Sequence, residues 1–381
     1  MNKIFFGSLV GLILFEILNV YFIMPMPGSQ RMRSIDIAYF LYDFRWMFRI
    51  IFGIGIVLTF AAVFRFKKWL PILSILILIA VAYLFNFNMA ADAMFLQPRQ
   101  LQMLSAKANK ITKDRMIIGV EHNGESKAYP ISLIGYHHQV LDTVGGKPIM
   151  VTYCTVCRTG RVYEPMVNGK PEKFRLVGMD HFNAMFEDAT TKSWWRQANG
   201  EAIKGKLKGQ KLPELLSYQT SLEKWFEIHP NSLVMQADQN FTEKYDSTYK
   251  YERGKSMKEL TRTDSLSWKD KSWVVGITIG KQSKAFDWLR LKRERIVNET
   301  INGQPIVLVL ASDDKSFFAF QRHSASEKFA IKKDTLVVGT KRYNLKGTAL
   351  NSVENESLKP VKAYQEFWHS WKSFHENTEK Y

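Results

Sequence analysis

A chain of 381 residues is long enough for two or three domains. With 46% hydrophobic and 13% aromatic residues it is not a disordered chain. Its formal net charge is +17, and its two cysteines, Cys154 and Cys157, are too few for a disulfide-stapled scaffold. Residues 1–95 carry eight Lys/Arg and four Asp/Glu, whereas the remaining 286 carry 45 and 32. The pattern is a membrane part joined to a basic soluble part.

Three apolar stretches come first: Ile4–Met24, Ile50–Phe64 and Leu70–Phe87. Crossing the hydrocarbon core takes about 20 helical residues. The first and third runs reach that length, and the second does so once Trp46–Phe48 and Phe66 are added. No small-x-small cleavage site follows the first run, so it reads as a span rather than a removed signal. Three spanning helices are expected within 1–95. Lys3 and the turn Arg65-Phe66-Lys67-Lys68 lie on one side of them. Arg31, Arg33, Arg45 and Arg49 lie on the other, diluted by Asp36 and Asp43. The short, acid-free turn favours the inside. The expectation is a multi-pass protein of the bacterial inner (cytoplasmic) membrane, its partner the lipid bilayer, with everything after about residue 90 extracytoplasmic. Glu16 falls within the first span, where a carboxylate is either functional or neutralised, for example by Arg49. Pro25-Met26-Pro27-Gly28-Ser29-Gln30 cannot continue a helix and reads as a loop. Asp36–Trp46 is aromatic and partly amphipathic, suited to lying along the surface.

The soluble part contains a weak internal repeat. At an offset of 157, nine of 46 ungapped positions between 118 and 163 are identical. Ser126-Lys127-Ala128-Tyr129 aligns with Ser283-Lys284-Ala285-Phe286. Further on, Trp225-x3-His229-x-Asn231-Ser232 matches Trp371-x3-His375-x-Asn377-Thr378. The expected organisation is a first soluble unit at 96–235, a polar connector at 236–271 and a second unit at 272–381. Strand-type runs Met116–Glu121 and Lys127–Pro130 flank Asn123-Gly124, a strong hairpin signal. Pro148–Tyr153 and Arg161–Glu164 are also of strand type. Ser221–Ile228 reads as a short amphipathic helix capped by Ser221. The fold class expected is an N-terminal three-helix membrane region plus a mixed α+β, β-rich soluble part built from two copies of one unit.

The copies differ where chemistry could sit. His137, His138, Cys154 and Cys157 become Glu294, Arg295, Ala311 and Asp314. Three readings of Cys154-Thr155-Val156-Cys157 fit the sequence. Two sulfurs on a tight turn can bind one ion such as zinc or copper, with His137, His138 and His181 the nearest imidazoles. The pair can also act in thiol–disulfide exchange, with Arg158 and Arg161 favouring a thiolate. The third reading is a structural disulfide. Trp194-Trp195-Arg196-Gln197 either lines a pocket or packs the core. No phosphate-binding glycine loop, nucleophile elbow or nucleic-acid motif is present, so no nucleic-acid partner is expected.

On these residues the soluble part resembles a bacterial family known only as a domain of unknown function. The motifs that carry the resemblance are Ile118-Gly119-Val120, Ala128-Tyr129-Pro130, Asp142-Thr143-Val144-Gly145-Gly146, Thr152-Tyr153-Cys154-x-x-Cys157, Gly200-Glu201-Ala202-Ile203 and the ending Phe374-His375-x-x-Thr378-x-x-Tyr381. It covers about 110–381 and implies a secretion signal or membrane anchor, but no activity. The functional expectation is therefore a metal or metallocofactor site at Cys154, Cys157, His137, His138 and His181. The alternatives are a thiol–disulfide redox enzyme using the C-x-x-C pair and a non-catalytic envelope binding or assembly module, with an envelope protein as its partner.

Overall fold

Long apolar runs without helix breakers produce the N-terminal helices. These are α1 (Asn2–Tyr21), α2 (Ile35–Asp43), α3 (Arg45–Phe66), α4 (Trp69–Tyr83) and the short α5 (Ala91–Met94). Pro71 is tolerated because it lies in the first turn of α4, where its missing N–H has no intrahelical acceptor. After Tyr83 the helix continues through a π-helical turn, Leu84–Asn88. Three stretches, Asn2–Tyr21, Arg45–Phe66 and Trp69–Asn88, are long and apolar enough to cross a membrane. Val57 and Leu58 are 74% and 75% exposed, which suits contact with hydrocarbon better than with water.

The structure is a computed structural model that describes residues 1–351 and 357–381. It divides into two units. The first comprises Met1–Leu96, Phe174–Arg196 and Ala202–Gln210; the second comprises Gln97–Lys173, Gln197–Glu201 and Lys211–Tyr381. This division cuts across the contiguous 96–235 segment expected from sequence. The reason is a four-stranded antiparallel sheet, ordered Ala202–Lys204, Trp194–Arg196, Asn183–Asp188, Phe174–Asp180, that packs with the helices. The Met179 amide donates to the Ile23 carbonyl at 2.6 Å. Gly178 permits that approach, since a Cβ there would lie 2.4 Å from the same oxygen. Tyr39 meets Trp194 edge-on at 5.0 Å. Trp194 and Trp195 are buried, their indole N–H groups donating to Glu187 and Asp188, so this pair packs a core.

In the second unit, a five-stranded sheet is ordered Met103–Ser105, Leu233–Met235, Glu125–Pro130, Met116–His122, Tyr218–Ser221. Its central hairpin turns at Asn123 and Gly124, both with positive φ as a tight two-residue turn requires. The chain then forms α6 (Ile131–His137) and a three-stranded sheet, Gln139–Val144, Lys147–Cys154 and Thr159–Tyr163. Later comes α7 (Leu222–Ile228), whose cap Ser221 accepts from the Lys224 amide as expected. The C-terminal part follows the order Tyr364–Phe367, Trp273–Ile279, Gln282–Asp287, Glu379–Lys380. It includes α8 (Trp288–Glu294), a three-stranded sheet from Ile296 to Gln321, and α9 (Trp368–Phe374).

In both sheets a central antiparallel hairpin is flanked by one antiparallel strand and one parallel strand. Trp225 lies over Gly119 and Trp371 over Gly276, where a Cβ would stand 2.5 Å and 2.1 Å from the rings. Each part buries its own apolar core. Val120, Tyr129, Ile134 and Val151 belong to one; Ile277, Phe286, Ile306 and Leu308 belong to the other.

Candidate functional site

The strand Lys147–Cys154 pairs with Thr159–Tyr163, and Cys154 sits directly opposite Thr159. The four residues between them make the turn that carries Cys157. Arg158 closes it with φ 57°, a left-handed conformation that costs a non-glycine residue about 1 kcal/mol or more. Both thiols are fully buried and not joined by a disulfide.

The surroundings hold this turn from two distant parts of the sequence. The Phe367 amide donates to the Cys157 carbonyl at 2.9 Å. Lys271 Nζ donates to the carbonyls of Val156 and Leu260, both at 2.7 Å, and lies 3.2 Å from His369 Nε2. An ammonium has three protons, enough for all three. His369 Nε2 also lies 3.2 Å from the Val156 carbonyl, so the tautomer decides whether it accepts from Lys271 or donates to Val156. Burial, and then the Lys271 charge, push His369 down to about 3, which keeps the imidazole neutral. Tyr251 donates its hydroxyl proton to the Thr155 carbonyl at 3.0 Å and meets the Tyr153 hydroxyl at 3.2 Å. Arg158 donates from Nε to Gln365 at 2.8 Å and stacks on the Trp273 ring at 3.6 Å.

The thiols interact with each other. Burial first, then the neighbouring Cys154 thiol, raise Cys157 well above the ordinary thiol range, while the Ser370 hydroxyl and the Lys271 ammonium pull it back. Ser370 Oγ meets Thr159 Oγ1 at 3.2 Å and donates to Glu366 Oε2 at 2.7 Å. Glu366, with no exposure, forms an ion pair with the buried Arg161. Burial disfavours the Arg161 charge, but Glu366 outweighs it and holds the guanidinium protonated. The chemistry available here is that of two adjacent buried cysteines beside a fixed cation.

The histidines expected to complete a metal site have other engagements. His137 Nε2 bonds the Tyr245 hydroxyl at 2.8 Å, among the rings of Tyr136 and Phe241. His138 is buried in a left-handed position at the end of α6, with Nδ1 3.0 Å from the Tyr136 carbonyl. Burial, the larger cause, and its neighbour His137 lower its pKa to about 4. His181 belongs to the other unit, where it bonds Asp180 at 2.6 Å. Among the described residues, no three His, Cys, Asp or Glu side chains form a group that could hold a metal ion.

Sequence reasoning missed Lys271, His369, Ser370 and Glu366. A usable signal existed: in the repeat alignment His369 replaces Glu223, an imidazole on the very helix that carries the matched tryptophan.

Residues 97–378, which carry the cysteines, the connector and α9, match one family model. The chain belongs to the family described as protein of unknown function (DUF3179). That description assigns no activity, so the chemistry rests on the geometry alone. No curated protein and no solved structure matches the chain.

Proposed function

We propose that this is a membrane-anchored protein whose soluble unit carries a dithiol–disulfide centre at Cys154 and Cys157. The observation that carries the reading is the pairing of the two thiols on one turn, beside the Lys271 ammonium. In the reaction, one thiolate attacks a sulfur of a low-molecular-weight disulfide, and a thiolate leaves. The second cysteine thiolate then displaces the other half, closing Cys154–Cys157. The two thiol protons pass to the two thiolates released, and two electrons reduce the incoming disulfide to two thiols. Lys271 stabilises the thiolate that forms. Neither sulfur is exposed, so exchange waits on local opening of the turn. The raised Cys157 thiol gives little thiolate stabilisation of the reduced form, which favours a reducing rather than an oxidising centre.

Thiol counting on the full chain, equilibrated in glutathione buffers, tests this. Two thiols should disappear together and return on reduction. If oxidised glutathione leaves both thiols free in the folded protein, the redox reading fails. Elemental analysis of the same sample addresses the zinc or copper reading: stoichiometric metal that is lost in Cys154→Ser would replace the dithiol centre by a metal site.

Two further readings belong with this proposal. The bacterial inner membrane as location, with an extracytoplasmic second unit, is supported by the three apolar helices and the basic turn Arg65–Lys68. Duplication of one unit is supported by the matching strand orders and the matched tryptophan–glycine contacts.

A further inference from the structure

The first unit contains a cavity of about 170 Å³ at the ends of the three apolar helices. At roughly 30 Å³ per water it has room for about five waters, which suits a small polar group rather than a whole lipid or nucleotide. Its lining comes from the last turn of α1 (Asn19), the first turns of α3 (Arg45 and Arg49) and the π-helical turn (Asn86). Asp92 and Arg175 also contribute. These helix ends lie where apolar spans give way to the polar edge of a bilayer.

Most of the charge here is already matched. Glu16, only 4% exposed, takes Arg49 through both oxygens at 2.8 Å, and Asn86 bonds to both partners at 2.8 and 2.9 Å. Arg175 pairs with Glu187 at 2.9 Å and Asp92 at 3.0 Å. Two groups are left over. Arg45 touches the Tyr42 carbonyl and ring, but among the described residues it has no carboxylate partner. Asn19 is 7% exposed, and its Oδ1 is buried with no hydrogen-bond donor among the described residues. An unpartnered buried carbonyl oxygen costs about 1–3 kcal/mol, so one on a side chain that lines the cavity points to a missing donor. The spare guanidinium points to a missing anion.

We infer that this cavity binds a phosphoethanolamine group, with its phosphate on Arg45 and its primary ammonium on Asn19 Oδ1, presented by a membrane phospholipid. A phosphate is the natural partner of a guanidinium, and an ammonium supplies the donor that Asn19 lacks. The location places the acyl chains of such a lipid alongside the apolar faces of the spans. The inference uses the membrane-spanning reading of the helices and is independent of the dithiol proposal.

The test reads thermal stability of the full chain in nanodiscs of phosphatidylcholine doped with phosphatidylethanolamine or phosphatidylglycerol. Phosphatidylethanolamine should stabilise at the lowest mole fraction. Arg45→Gln should raise the half-saturating fraction roughly tenfold, the loss of about one charge-assisted hydrogen bond, with partial recovery in Arg45→Lys. Asn19→Leu should erase the preference for ethanolamine over choline, whose ammonium has no proton to donate. Equal stabilisation by all three lipids, or an unchanged response in Arg45→Gln, overturns the inference. A parallel arm adds glycerophosphoethanolamine to the detergent-solubilised chain; stabilisation there, with none in the bilayer, overturns the lipid source and leaves a soluble ligand.

Discussion

Replacing Glu366 by Gln removes one charge from the most deeply buried ion pair at the cysteine turn. Glu366 has no exposure and Arg161 is 2% exposed. Removing one partner of such a pair leaves the other charge uncompensated, at a cost of about 3–5 kcal/mol. Arg161 retains partial compensation: Glu214 at 3.3 Å, the Ala198 carbonyl at 3.1 Å and the Tyr364 ring face at 3.4 Å. The lower end, about 3 kcal/mol, is therefore expected. For a unit of about 250 residues each kcal/mol moves the midpoint by roughly 2 °C, giving a fall of roughly 6 °C. Tryptophan fluorescence during heating of the detergent-solubilised chain reads this directly, because Trp225, Trp273 and Trp371 all lie in that unit. Glu214→Gln is the control. Its side chain is 25% exposed, and its loss should cost no more than about 1 kcal/mol, or roughly 2 °C. In an Arg161→Met background, Glu366→Gln should cost far less, since no buried cation remains. If Glu366→Gln falls no further than Glu214→Gln, the pair does not anchor the turn and the reasoning is wrong.

Acid should destabilise the second unit through its buried imidazoles. The folded pKa of His138, about 4, lies below the unfolded value of about 6.5, so its contribution is complete above about pH 6.5 and is lost as pH falls towards 4. Within that window each pH unit costs about 1.4 kcal/mol for this group. His138→Asn, which tolerates the left-handed backbone, should flatten the pH dependence of the melting temperature between 6.5 and 4; an unchanged slope would refute the assignment. A reporter fused after Tyr381 should be active only in its extracytoplasmic form, and cytoplasmic activity would reverse the orientation.

Local signals in the sequence carried well. The three long apolar helices, the Asn123-Gly124 hairpin, the Ser221 cap and the Glu16–Arg49 pair each depend on neighbouring residues or on charge in an apolar run, and each is present. The site was half legible. The cysteines announce themselves by spacing, but their partners Lys271 and His369 come from more than a hundred residues away, and nothing local ties them to the turn. His137 has a partner that nothing local announces: Tyr245, from the connector, bonds its Nε2. The sheet spanning Phe174–Lys204 was hidden in the same way, since its grouping with the helices rests on contacts such as Met179 with Ile23.

The long reach of the Arg161–Glu366 contact also sets a timetable for biosynthesis. The two residues are 205 positions apart, and a ribosome adding about 5–20 residues per second separates their appearance by roughly 10–40 s. During that interval the cysteine turn exists without Glu366, Phe367 or His369, and for roughly the first half of it without Lys271 as well. Until its last residues arrive, the nascent chain thus presents the two thiols without the contacts that surround them in the finished protein.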